Sequence, residues 1–190
     1  MTYSNAKYAC LLLFTFLLVS CSSTRGITER YIKTKIEEHV ISETKSSTIQ
    51  LYYQTSITTD TDYLEVAGFM DDKQKKLIIA GDKIYKYRSS FKGDPGTLRG
   101  VTIINLKENE CRLIVRNIKD MLDRIDSRKP KNSKEVIYED LTVNEELFLS
   151  FSKSRLKGTE FSIWIRGEKY TVGGRKGRKF YESVRDFIEM

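Results

Sequence analysis

The sequence predicts an α+β fold: a mostly antiparallel sheet, built as a sandwich or a strongly bent sheet, with one helix in mid-chain and one at the C-terminus. Three observations predict it. From residue 48 onward, Thr, Tyr and aliphatic residues alternate with a period of two, the pattern of half-buried strands. Ile118, Met121, Leu122 and Ile125, and later Phe180, Val184, Phe187 and Ile188, recur at helical spacing and form single apolar stripes. The 190 residues are 39% hydrophobic and 11% aromatic, enough for one packed core and too apolar for a disordered chain. Strands followed by a helix occur twice, over 47–127 and 135–190, with slight residue-level similarity between the two passages.

The N-terminus comes first. Lys7 precedes an unbroken stretch of eleven residues, Ala9 to Val19, that are apolar apart from Thr15. That is too short for a membrane-spanning helix, which needs about 20 residues, and right for the apolar region of a signal peptide. The stretch closes on Leu18-Val19-Ser20-Cys21. This resembles the lipobox of bacterial lipoproteins, in which an aliphatic residue, a tolerant position and a small residue precede the lipidated Cys. The resemblance covers the first twenty-odd residues. It implies cleavage after Ser20, diacylglycerol on the Cys21 sulfur and acylation of the new amino terminus. Stable anchoring needs more than one acyl chain. Ser22, where Asp marks inner-membrane retention, favours by the same resemblance the outer membrane, with the domain facing the periplasm. Residues 1–20 are then the signal peptide, 21–26 a short tether and 27–190 one periplasmic domain. Loss of Lys7 with the signal peptide leaves a net charge of +6.

Along the mature chain, 27–41 fits either a helix or a strand, since Ile32, Ile36 and Val40 line a helical face that neighbouring residues do not extend. TIQLYYQTSITT, with Ile49, Leu51 and Tyr53 on one face, predicts a strand, and YLEVAGFM (63–70) a second. KKLIIA and KIYKYRSS flank Gly81-Asp82 and predict a hairpin, Gly81 supplying the positive φ of a tight turn. GDPG (93–96) is a turn by composition. TLRGVTIINL, KENE and CRLIVRN predict a second hairpin, which puts Cys111 in a strand as a buried thiol. A helix follows, capped by Asn117 with Asp120 three residues on, and Pro130 stops its continuation. The basic segment 127–134 is a surface loop. EVIYEDLTV and ELFLSFSK predict strands. TEFSIWIRGEKYTVGG predicts a hairpin turning at Gly167-Glu168, and FYESVRDFIEM the last helix.

The chemistry is sparse. Three Cys and one His exclude a disulfide scaffold, a four-Cys zinc site and a two-His metal site within the chain. No nucleophile turn surrounds Cys111, so pairing with His39 is the weaker reading. No Ser stands in a G-x-S-x-G context. The carboxylate pairs Asp71-Asp72 and Glu145-Glu146 are neighbours in sequence and read as solvated loops. No catalytic residue, metal ligand or cofactor site is assigned.

One stretch stands apart. Gly173-Gly174-Arg175-Lys176-Gly177-Arg178-Lys179 sets four cations among three Gly just before a helix, where free N–H groups favour an anion. It is not a Walker A loop, which requires Gly-Lys followed by Ser or Thr. With Arg166 and Lys169 it forms a candidate site for an anionic envelope polymer, a lipid head group or an acidic protein; the competing reading is a solvated loop. A signal peptide argues against nucleic acid as the partner. The expectation is therefore a lipid-anchored envelope binding protein, an accessory or assembly component or a binder of anionic polymers. An immunity or inhibitor lipoprotein against a periplasm-acting toxin or lytic enzyme, and an envelope hydrolase using carboxylates, remain open beside it.

Overall fold

The computed structural model describes residues 26–45, 49–58, 62–71, 74–87 and 96–190. The expected signal peptide, Cys21, the expected tether up to residue 25 and the predicted GDPG turn up to residue 95 lie outside the described residues. The ambiguous segment after the tether is a helix, α1 (26–44). Eight strands and two further helices follow: β1 (Leu51–Thr58), β2 (Asp62–Asp71), β3 (Gln74–Tyr87), β4 (Gly96–Lys107), α2 (Glu108–Ser127), β5 (Val136–Thr142), β6 (Leu147–Ser154), β7 (Gly158–Ile165), β8 (Glu168–Gly173) and α3 (Gly174–Glu189). The strands form two four-stranded antiparallel sheets in the orders β1-β2-β3-β4 and β5-β6-β7-β8. This is an α+β fold.

The architecture is a duplication in shape. Each half is a four-stranded meander that ends in a helix. α2 packs on the last two strands of its own sheet and on β5 and β6 of the other, while α3 packs on β7 and β8 and on β1 and β2. The inner faces of both sheets and the α2–α3 pair thus enclose one core, containing Leu64, Leu77 and Ile104 from the first sheet, Leu149, Phe161 and Ile163 from the second, and Ile118 and Phe187 from the helices. The halves differ on their outer faces. α1 lays Ile32, Ile36 and Val40, all fully buried, on the outer face of the first sheet against Ala67, Phe69, Ile78 and Ala80. Burying each such stripe residue is worth about 1.5–3 kcal/mol. Among the described residues no helix covers the outer face of the second sheet, where Val136 and Tyr138 are exposed.

Two predicted hairpins are corrected. β3 runs straight through Gly81-Asp82, with Gly81 paired to Leu64 on one side and Thr102 on the other. Gly81 is there because the Tyr170 ring occupies the space that a Cβ would take. Asp82 is not a turn residue but a buried carboxylate paired with Arg99. The second correction concerns 108–117. KENE is not a loop, and CRLIVRN is not a strand: Lys107 ends β4, and Glu108 onward belongs to α2. Glu108 and Glu110 occupy its first turn, where carboxylates favour the positive end of the dipole, and the Glu110 carboxylate accepts the Lys107 backbone N–H at 2.8 Å. That capping overrides the β preference of the β-branched run. Cys111 is buried, as expected, but in a helix. Asn117 lies mid-helix and donates to the Leu113 carbonyl at 2.8 Å rather than capping. The far end of α2 is capped from β6, where the Lys153 ammonium bonds the carbonyls of Ile125, Asp126 and Arg128 at 3.0, 3.0 and 2.7 Å.

β5 and β7 follow the alternation in the sequence, whereas β2 is buried on both faces. The β7–β8 turn falls at Arg166-Gly167, one residue earlier than predicted, with φ of 50° and 83°, the two positive angles of a tight two-residue hairpin turn.

Candidate functional site

The basic stretch is helical rather than a loop: α3 begins at Gly174, six residues before the apolar stripe that signalled it. Its glycines serve packing. A Cβ on Gly174 would lie 2.9 Å from the Thr159 side chain, and one on Gly177 2.6 Å from Phe161 Cβ. Both are buried, and they let the first turns of α3 press onto β7. With these and Phe180 turned inward, Arg175, Lys176, Arg178 and Lys179 are all exposed, within an arc of roughly 160° at 100° per residue. Arg178 pairs with Asp126 at the end of α2. It also lines a groove of about 450 Å³ between α2 and α3, whose walls include Lys119 and Asp123 of α2 and Glu182, Arg185 and Glu189 of α3.

The charge order of α3 runs against its dipole. Its first turn contains no acid and its last turn no base, while the cations crowd the N-terminal end. Each misplaced charge near a helix terminus costs about 0.3–1 kcal/mol. The arrangement lowers helix stability and concentrates positive potential at one corner of the molecule.

Arg166 and Lys169 do not join this cluster. They sit at the turn end of β8, whose six residues span about 17 Å to Gly173. The Arg166 guanidinium is paired with Glu146 at 2.6 Å, and its backbone N–H bonds the Glu146 carbonyl at 2.8 Å. The Lys169 ammonium lies 4.7 Å from the Trp164 ring centroid on the outer face of the second sheet, and Phe148 packs edge-on against the same ring at 4.9 Å. The six residues therefore make two patches, the first turns of α3 and the β7–β8 turn.

Sequence reasoning missed a polar cluster beneath α1. Glu65 and Asp82 are each 1% exposed on the outer face of the first sheet. The Glu65 carboxylate accepts the Tyr63 hydroxyl at 2.6 Å and the Ser56 hydroxyl at 2.9 Å. Burial raises its pKa against the lowering effect of those two hydroxyls and of Lys33. Asp82 is paired with Arg99, whose guanidinium lies 4.6 Å from the Tyr31 ring on α1. The signal was visible: Glu65 is the one charged residue inside the apolar run YLEVAGFM.

His39 and Cys111 do not meet. His39 bonds the Asn105 side chain at 3.1 Å under α1, whereas Cys111 is in the main core on the other side of the first sheet. Burial pushes the Cys111 thiol up to about 12. Among the described residues no group of three or more His, Cys, Asp or Glu is placed to hold a metal ion, and no helix is long and apolar enough to cross a membrane. The chain matches no family model, no curated protein and no solved structure.

Proposed function

We propose that this chain is an outer-membrane lipoprotein, held by lipid on Cys21, that acts by binding an anionic polymer or an acidic protein surface of the bacterial envelope. The observation that carries the reading is the inverted charge order of α3. Arg175, Lys176, Arg178 and Lys179 are all exposed, and Arg175 and Lys176 stand in the first turn, where a cation costs helix stability, an arrangement suited to an external anion. The lipobox-like Leu18-Val19-Ser20-Cys21 supports the envelope setting. The tether is short, so the domain would work close to the bilayer, where basic residues near an anionic surface contribute about 1 kcal/mol each.

One experiment with two arms tests it. Fatty-acid labelling of the wild type and of Cys21→Ala reads the anchor; label persisting in the variant would overturn the lipoprotein assignment. Vesicle co-sedimentation at low salt, with a chain that starts at residue 22 and so lacks both the apolar leader and the lipid site, reads the patch. Replacing the four α3 cations with Gln should weaken binding to vesicles of anionic lipid by about tenfold or more, with little binding to zwitterionic vesicles in either case. Equal binding by both proteins would remove α3 from the contact.

A further inference from the structure

α1 sits on a core of its own. Its stripe Ile32, Ile36 and Val40 joins Tyr63, Ala67, Phe69, Ile78 and Ala80 in a cluster separate from the one shared by the two sheets and α2–α3. The sheet intervenes between the two, so lifting α1 would leave the main core closed. Between helix and sheet lie ionisable groups that an apolar contact would not need. Buried ion pairs and buried carboxylates add little to stability compared with well-packed apolar residues of similar size. Proteins tend to break local rules of this kind at working sites.

We propose that α1 is a releasable strap: it leaves the outer face of the first sheet as a unit while the main core stays folded, and Glu65 sets how readily it leaves. Every element around Glu65 contributes a group. β1 gives Ser56, and Tyr53, whose hydroxyl reaches Glu37 at 3.4 Å; β2 gives Tyr63; β3 and β4 give the Asp82–Arg99 pair. α1 gives Lys33, paired with Glu29 at 2.6 Å, and Tyr31 over Arg99. Docked, Glu65 is cut off from water by α1; released, it regains it. Burial holds the docked carboxyl above the ordinary glutamate value of 4.5. Its contribution to docking is therefore complete below about 4.5 and is lost as pH rises through the docked value. The strap is at its loosest above the docked value. Release would uncover Phe69, Ile78 and the two carboxylates. On the anchored reading above, it would also lengthen the link to the membrane, since 19 residues span about 28 Å as a helix and about 65 Å extended.

Hydrogen exchange of the full chain in detergent, between pH 5 and 8, tests the strap without depending on the anchor. Protection factors of α1 amides should be lower than those of β6 and β7 throughout. They should fall with rising pH by up to about tenfold per unit, the limit for one proton, and then level off. In Glu65→Gln, which keeps an acceptor for Tyr63 and Ser56, the slope should vanish and α1 should be better protected at pH 8 than in the wild type. Tyr31→Ala should speed α1 exchange and leave β6 and β7 unchanged. Exchange of α1 in step with β6 and β7 would overturn the strap. A slope that survives in Glu65→Gln would overturn the role of Glu65.

Discussion

At two strand glycines a ring from the other half takes the place of a side chain. The Phe187 ring of α3 fills the space over Gly68, and the Tyr170 ring of β8 fills the space over Gly81. Neither glycine needs an unusual backbone: both lie in strands, and the positive φ angles of described glycines fall at Gly158 and Gly167. What they provide is room for a ring from the other half. Gly177 gives the sharpest test, because two effects oppose each other there. In an exposed helix interior, replacing Gly with Ala gains about 1 kcal/mol. At Gly177 the new methyl would stand 2.6 Å from Phe161 Cβ and 3.0 Å from Phe151 Cε1, and such overpacking costs about 1–3 kcal/mol. Those neighbours are fully buried and stacked on each other at 4.5 Å, so they have little room to yield. Gly177→Ala should therefore lower the urea midpoint. A rise would mean that α3 can slide outward and that Gly177 is not a packing requirement.

At the level of elements, α3 sets stability against the proposed binding. Arg175 sits in its first turn beside unsatisfied backbone N–H groups, with no acid in that turn. Arg175→Glu turns an unfavourable charge–dipole term into a favourable one and should stabilise the fold by about 1 kcal/mol, read as a higher urea midpoint, while weakening binding to anionic vesicles. A loss of stability would show that Arg175 holds the helix end in place. The same elements show what the sequence could reveal. Strands whose faces differ in polarity were legible: β1 and the β7–β8 hairpin fall where alternation put them, and β2, buried on both faces, falls on the apolar run YLEVAGFM. The α2 and C-terminal stripes were legible because apolar residues recur at helical spacing. The errors arose where residues outside the run decided the matter. Gly81 resembles a turn glycine until Tyr170 is placed over it. CRLIV resembles a strand until Glu108 and Glu110 cap its helix and Cys111 and Ile114 join the stripe of Ile118 and Met121. In the candidate site, the four α3 cations were legible as a run along the chain. That Arg166 and Lys169 sit at the opposite end of β8 from the α3 cations could not be read from one dimension. Glu65 was present as a charge in an apolar run, but its meaning depended on α1, whose own periodicity was ambiguous.

For the molecule as a whole, the duplicated meander-and-helix plan has a thermodynamic consequence. α2 and α3 each bridge both sheets, so neither half has a complete core without the other. Two separable domains would unfold in two steps, whereas a shared core makes the sheets lose structure together. The single Trp, Trp164, lies in the second sheet and reports on that sheet alone. Leu77 lies fully buried in β3 of the first sheet. Leu77→Ala should cost about 2–5 kcal/mol. It should shift the urea midpoint seen by Trp164 fluorescence as far as the midpoint seen by far-ultraviolet circular dichroism. If fluorescence kept the wild-type midpoint while the dichroism moved, the second sheet would be stable without the first, and the bridging helices would be contacts between two domains rather than parts of one core. Coincident shifts, together with early exchange of α1 alone, would describe a body of two sheets and two helices that folds as one unit and carries a strap.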